Sequence, residues 1–158
     1  MLGFPGGEVA HRNLVVGIGF GGAADINNHR VTHERVKRNL VDGEPAFLWR
    51  VSTGRGGFGT PTGRFRPQWM ARSWFSTKYY GSPMPHAIFF HRGYAIHGTN
   101  HISRLGGPAS HGCVRLHPAN AATLFALVRE FGMRNTTIVI SDGNWPPRRR
   151  ARFTQAGY

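Results

Sequence analysis

The sequence predicts a mostly β domain carrying one principal helix. Three observations lead there. Short apolar or alternating stretches recur between glycine- and proline-rich turns. A single segment, after residue 117, keeps helical spacing over several turns. Apolar residues make up 40% of the 158 and are spread evenly, so one core can be filled. No run approaches the roughly 20 apolar residues that a membrane helix needs.

Residues 1–30 read as a glycine-rich, irregular segment in which Asn13-Leu14-Val15-Val16 is a candidate short strand. Gly17-Ile18-Gly19-Phe20-Gly21-Gly22 satisfies G-x-G-x-x-G, and Asp42 follows about twenty residues later, as in dinucleotide-binding folds. That pattern requires an amphipathic helix next. Ala23 to Arg38 shows no convincing apolar face, so a flexible glycine loop is the better reading. Val31 to Val41 is polar and weakly patterned, interrupted by Lys37, Arg38 and Asn39. Asp42-Gly43 is a turn dipeptide. Beyond it Phe47, Trp49 and Val51 alternate with Leu48 and Arg50, which predicts a strand over 45–53.

Residues 54–63 hold five glycines and Pro61 and read as a long loop; Phe65 resumes an extended segment. Residues 70–86 are mixed, with Trp74, Phe75, Tyr79 and Tyr80 ahead of Pro83-Met84-Pro85. Ala87 to Phe90 and Tyr94 to His97 form a predicted hairpin around His91-Arg92-Gly93. Gly106-Gly107-Pro108 marks a loop. Pro118 suits the first turn of a helix, where its missing N–H is no loss. Ala121, Ala122, Leu124, Phe125, Leu127, Val128 and Phe131 follow with helical spacing, and Gly132 is a natural stop. Thr136 to Ser141 is a closing strand. The tail from Asn144, with Arg148, Arg149, Arg150 and Arg152, reads as unstructured.

Twenty basic residues against seven acidic give a formal charge of +13. This balance invites a nucleic-acid reading, yet the distribution is more informative than the sum. No Asp or Glu lies between Glu44 and Glu130, while ten Arg or Lys do. Two-carboxylate glycosidase chemistry is excluded from that interval, as is a His-Glu-x-x-His zinc site. An anionic, carboxylate-bearing substrate fits it.

Within this interval stands the single cysteine, in Ser110-His111-Gly112-Cys113-Val114-Arg115-Leu116, with His97-Gly98-Thr99 upstream. A thiol attacks carbonyls as thiolate, and an ordinary pKa of about 8.5 leaves little thiolate at neutral pH. A nearby imidazole corrects this and can return the proton to a leaving amine. His97 and His111 are both candidates. With no local carboxylate, the group orienting the base is expected to be a backbone carbonyl, and Gly98 is placed to supply one. The N–H groups of Gly112 and Cys113 are candidate oxyanion donors. The alternatives are a small buried apolar cysteine and a zinc set drawn from His97, His101, His111, Cys113 and His117. Structural zinc sites usually hold more thiolates, and no spacing here matches a finger. No metal or other cofactor is expected.

These residues resemble the L,D-transpeptidase (YkuD-type) catalytic domain. Its pattern is a His-Gly pair, a short gap, then Ser/Thr-His-Gly-Cys, an apolar residue and Asn or Arg. Val51-Ser52-Thr53-Gly54, Thr60-Pro61-Thr62-Gly63-Arg64-Phe65, Met84-Pro85, Ile88-Phe89-Phe90 and Tyr94-Ala95-Ile96-His97 resemble the strands and loops leading into it. Together they cover about residues 42–142. Two features depart from the pattern: the opening patterned strand is replaced by the polar stretch Val31 to Val41, and residues 1–30 match no part of it.

The resemblance implies a mixed β-sandwich or barrel-like sheet with one main helix after the catalytic loop. It implies that Cys113 attacks the bond between a diamino acid and D-alanine in a peptidoglycan tetrapeptide stem, and passes the acyl group to an amine. The product is a 3→3 cross-link or attachment to an envelope protein. Water as acceptor makes an L,D-carboxypeptidase, and an inactive peptidoglycan-binding module is the silent counterpart. His97 matches the base and the Gly98 carbonyl its orienting group. Ser110, His111 and Arg115 match positions that shape the site and meet substrate, and Gly112 with Cys113 the oxyanion amides. Tyr79 or Tyr80 matches an assisting tyrosine. Stem peptides are the implied partners, carbapenem β-lactams the implied covalent inhibitors, and no nucleic acid is expected. The implied location is the bacterial periplasm or cell envelope. Residues 1–13 lack the basic start and apolar run of a secretory signal. Either the chain is cytosolic or an export segment lies outside this sequence. The expected organisation is an irregular segment over 1–30, a catalytic domain over 31–142 and a basic tail over 143–158.

Overall fold

A computed structural model describes residues 13–19, 30–36 and 45–141. The strands in chain order are β1 (Asn13–Gly19), β2 (Arg30–Val36), β3 (Pro45–Gly54), β4 (Gly63–Phe65), β5 (Trp69–Ala71), β6 (Ala87–His91) and β7 (Tyr94–Gly98). β8 (Pro108–Ser110) and β9 (Val114–Leu116) flank the cysteine. The helix α1 (Pro118–Phe131) and β10 (Thr136–Ser141) complete the described chain. The mostly β class with one main helix after the cysteine loop is what the structure has.

The strands run in the order β4-β10-β1-β2-β3-β9-β7-β6-β5, with β8 attached to β3. β3 is the hinge of the architecture. Its first half pairs antiparallel with β2, from Pro45 to Arg50. Val51 and Ser52 then pair antiparallel with β9, and Thr53 and Gly54 take β8 in parallel. One ten-residue strand thus carries the chain from one sheet into the other, which is how a sandwich shares a strand.

The main core lies between the strands and α1. Leu14, Val16 and Ile18 of β1 and Ile138 and Ile140 of β10 are buried with Ile88, Phe90, Ile96, Val114 and Leu116. Leu124, Phe125, Val128 and Phe131 of α1 cover them. The helix begins as the sequence indicates: Pro118 occupies the first turn, and His117 caps it by accepting the Ala119 N–H at Nδ1, 3.1 Å away. Gly132, at φ 89°, ends it with its N–H on the Val128 carbonyl.

The hairpin expected around His91-Arg92-Gly93 is present. Arg92 and Gly93 both have positive φ, 40° and 83°, as a two-residue turn between twisted strands requires. β6 and β7 are apolar on both faces because both faces are covered. Ile88, Phe90 and Ile96 enter the main core, whereas Ala87, Phe89 and Ala95 form a second cluster with Met84 and Cys113. The cysteine therefore sits on the face of this sheet turned away from the main core.

The strand expected at Asn13-Leu14-Val15-Val16 is present and runs on to Gly19: β1 lies inside the sheet, parallel to β10 and antiparallel to β2. Other expectations need correction. Gly17 and Gly19 of the glycine motif are strand residues, and the antiparallel return into β2 is not a dinucleotide-binding βαβ unit; residues 20–29 lie outside the described residues. The polar stretch after residue 30 contains β2, which holds its place by backbone pairing to β1 on one side and β3 on the other. Short strands β5 and β8 also occupy stretches expected to be mixed or looped. The basic tail from residue 143 lies outside the described residues.

Candidate active site

Strand register, rather than sequence proximity, builds the site. β9 runs parallel beside β7, with Ile96 opposite Val114 and His97 opposite Arg115. Side chains alternate across a strand. Ile96 and Val114 face the main core, so His97, Cys113 and Arg115 turn to the other side. There all three line one cavity of about 570 Å³. Sixteen residues of separation thus collapse to one cavity, with His97 on β7 and Cys113 immediately ahead of the adjacent β9. The Cys113 Sγ accepts the Ala95 N–H at 3.4 Å.

His97 is 5% exposed. Its Nδ1 lies 2.6 Å from the Gly98 carbonyl. A carbonyl only accepts, so Nδ1 carries the proton, and the neutral ring presents an unprotonated Nε2. Burial lowers its pKa from 6.5 to about 4, with the Gly98 bond opposing and the Arg115 charge adding to the fall. The ring is neutral at physiological pH. Burial also raises the Cys113 thiol, against smaller lowering effects of the Ala95 N–H and Arg115. Both shifts favour an uncharged thiol–imidazole pair over a thiolate–imidazolium pair.

His111 is held differently. The Arg55 guanidinium donates to its Nε2 at 2.9 Å. The Tyr79 ring stacks on it at 4.2 Å, and Phe58 meets it edge-on at 4.7 Å. Desolvation, then the charges of Arg55, Arg115 and Lys78, lower its pKa. Its ring is a packed wall of the cavity. Between the two tyrosines, Tyr79 is the one packed on that wall. Tyr80 also borders the cavity, but it is fully exposed and sits at a positive φ of 51°.

The cysteine loop is pinned by two hydroxyls. Ser110, fully buried, accepts the Gly112 N–H at 3.0 Å and donates to the Cys113 carbonyl at 2.5 Å. Thr60 donates to the Gly112 carbonyl at 2.8 Å while accepting the Gly54 N–H at 2.9 Å. The Gly112 N–H, expected as an oxyanion donor, is therefore already engaged by Ser110; the amide next to it belongs to Cys113. Gly112 must be glycine. Its φ is 121°, and a Cβ there would lie 2.3 Å from Cε1 of Tyr94.

Among the described residues no Asp or Glu lines the cavity, whereas Lys78, Arg92 and Arg115 do. Burial lowers the pKa of half-buried Arg115, with nearby Arg104 and Arg55 adding to this and Cys113 opposing it. A guanidinium remains charged through such a shift. Trp69 stacks on Phe89 at 3.8 Å, and Trp74 closes on Trp69 edge-on at 5.0 Å, giving the far wall an aromatic lining. Among the described residues, no group of three or more His, Cys, Asp or Glu side chains is placed to hold a metal ion. Nor is any helix among them long and apolar enough to cross a membrane.

Sequence reading missed Thr60, Arg55 and Phe58, which act from the glycine-rich loop, and Trp69. The Thr60-Pro61-Thr62-Gly63 motif was visible, but nothing local ties it to Gly112, fifty-two residues on.

The model of the L,D-transpeptidase catalytic domain family (YkuD) matches residues 24–140. No curated protein matches the chain. Among solved structures, an L,D-transpeptidase from Stackebrandtia nassauensis aligns with a TM-score of 0.65 at 20% identity, over 87% of this chain and 60% of that one. The L,D-transpeptidase LdtMt1 in complex with imipenem aligns at 0.65 and 21%, over 82% and 59%. L,D-transpeptidase 3 from Mycobacterium tuberculosis, in complex with a faropenem-derived adduct, aligns at 0.62 and 18%, over 83% and 61%. At these identities the likeness establishes the fold, and the chain spans about 60% of the length of these neighbours.

Proposed function

We propose that this chain, which belongs to the L,D-transpeptidase catalytic domain family, is a cysteine acyltransferase acting on peptidoglycan stem peptides. One observation carries the reading. Cys113, just ahead of β9, and His97, on the neighbouring β7, line one cavity, and His97 is fixed by the Gly98 carbonyl with its free nitrogen left for a proton.

The chemistry follows from the resting state. Cys113 is a thiol and His97 a neutral imidazole, so the proton moves as the carbonyl is attacked. The thiol proton passes to His97 Nε2 while Sγ bonds the carbonyl carbon between the diamino acid and D-alanine. Negative charge collects on the carbonyl oxygen, and the Cys113 N–H is the loop amide available to meet it. The C–N bond then breaks, His97 returns the proton to the departing D-alanine amine, and a thioester remains. An amine acceptor loses its proton to His97, attacks the thioester and releases the thiol. Water in its place yields the L,D-carboxypeptidase product.

The cavity's charge supports a carboxylate-bearing substrate, since Lys78, Arg92 and Arg115 line it with no acidic residue among the described ones. On this reading the protein works in the cell envelope, and a carbapenem acylates the same sulfur. The imipenem complex and faropenem-derived adduct of the structural neighbours support that choice of probe.

Intact-mass analysis after incubation with imipenem tests the proposal. The wild type is expected to gain one drug mass, localised to Cys113, and Cys113→Ala to gain none while keeping its fold. An unmodified wild type, or an adduct on Cys113→Ala, overturns it.

A further inference from the structure

We infer that Thr60, a residue outside the cavity, is a positioning residue for the reaction, setting the plane of the Gly112–Cys113 peptide so that its N–H faces the site of the developing oxyanion. The inference rests on the acyltransfer reading above and deepens it.

A trans peptide is planar, with its C=O and N–H pointing in opposite directions. Whatever fixes the Gly112 carbonyl therefore fixes the Cys113 N–H. The carbonyl is held by the Thr60 hydroxyl at 2.8 Å, and Thr60 is 8% exposed. Cys113 lines the cavity; Thr60 does not. The carbonyl thus points back into the protein, and the N–H of the same plane is turned away from Thr60. The neighbouring Gly112 N–H is taken by Ser110 Oγ at 3.0 Å. This makes the orientation of one amide the variable that matters.

Thr60 is itself rigidly held. Its Oγ1 accepts the Gly54 N–H at 2.9 Å, so its single proton is directed to the Gly112 carbonyl. Gly54 closes β3, and the next residue, Arg55, donates its N–H to the Ser110 carbonyl at 2.9 Å. The strand end, the glycine-rich loop and the cysteine loop are joined through these bonds. No hydrogen bond of Thr60 reaches His97 or the Cys113 sulfur, so its loss need not change thiol reactivity.

The experiment compares two reactions of Cys113 in the full chain. Opening of the β-lactam ring of imipenem by Cys113 forms a thioester through an oxyanion: the sulfur bonds the ring carbonyl, the amide C–N bond breaks, and the thiol proton ends on the ring nitrogen. Alkylation by iodoacetamide displaces iodide at a saturated carbon and develops no oxyanion. Thr60→Val keeps the shape and removes the hydroxyl; Thr60→Ala is a second deletion free of the extra methyl; Thr60→Ser restores the hydroxyl. Thr60→Val and Thr60→Ala are expected to slow the limiting imipenem acylation rate by up to about 100-fold, the lower end of the cost of losing one oxyanion donor, because the amide is misaligned rather than removed. Alkylation should stay within about twofold of wild type, and Thr60→Ser should recover most of the acylation rate.

If both deletions acylate like the wild type, the inference is overturned while the acyltransfer reading stands. Equal losses in acylation and alkylation overturn it too, since they show a general loss of loop structure, as does failure of both deletions to fold. A wild type that alkylates but never acylates removes the underlying reading instead.

Discussion

Acidification from pH 7 to pH 4 is expected to cost the fold about 3 kcal/mol through His97 alone. The imidazole is 5% exposed, and burial takes its pKa from 6.5 to about 4. The folded value lies below the unfolded one, so the unfolded chain binds the proton first. The contribution is therefore whole above pH 6.5, falls away as the pH drops from 6.5 towards 4, and loses little more below that. A gap of this size, at ~1.36 kcal/mol per pKa unit, sets a limit a little above 3 kcal/mol, most of it gone by pH 4. Against a typical total stability of roughly 5–15 kcal/mol, that is a large share. The assay is denaturant unfolding followed by tryptophan fluorescence at pH 7, 6, 5 and 4, on wild type and His97→Asn. Asparagine retains a donor close to the Nδ1 position but does not titrate. The remaining histidines are common to both proteins and cancel in the difference. Wild type should lose about 3 kcal/mol relative to the variant across the range. Parallel curves for the two proteins refute the argument, because they place the His97 pKa at its ordinary value in the fold.

Two further predictions draw on the same site. Imipenem acylation should be nearly independent of pH from about 5 to 8, with an acid limb close to the His97 value of about 4, since the neutral ring is the form that accepts the proton. Stopped-flow measurement of the acylation rate checks this, and an acid limb near 6.5 contradicts it. Gly112→Ala should destabilise the protein by about 3 kcal/mol, because its Cβ meets Tyr94 at 2.3 Å and its φ is 121°. A thermal midpoint equal to the wild type's would show that the close approach of Tyr94 is not maintained.

What could be read in advance depended on whether the determinant was local. The turn at Arg92-Gly93 and the ends of α1 at Pro118 and Gly132 are set by residues within a few positions, and each was legible. β2 was not. Its sequence, Arg30-Val31-Thr32-His33-Glu34-Arg35-Val36, carries little apolar signal, and it is kept extended by ladders to β1 and β3. The same holds for β8, three residues whose extended form depends on pairing with β3. In the site, the Ser-His-Gly-Cys motif identified the loop, yet His97 and His111 were equivalent to residue-level chemistry. The distinction comes from the β7–β9 register and from the Arg55, Phe58 and Tyr79 contacts that engage His111. Tyr79 and Tyr80 are adjacent in sequence, and only the packing separates them. The Gly112 amide looked available because Ser110 Oγ, two residues away, has no backbone signature.

The position of β10 bears on how the protein comes to be folded at all. The last described strand is not added at an edge. It enters between β4 and β1, pairing antiparallel with one and parallel with the other. During synthesis β1 leaves the ribosome before β10 and waits for a partner more than a hundred residues away. Closing a loop of that length costs on the order of 4 kcal/mol in chain entropy before the pairing returns anything. Folding should accordingly be slow for a domain of this size. Until β10 arrives, β1 presents an open edge able to pair with another chain, so crowding of nascent copies is the hazard this topology carries. The cysteine loop emerges well before that moment, which leaves the thiol without its finished surroundings until the final strand has slotted in.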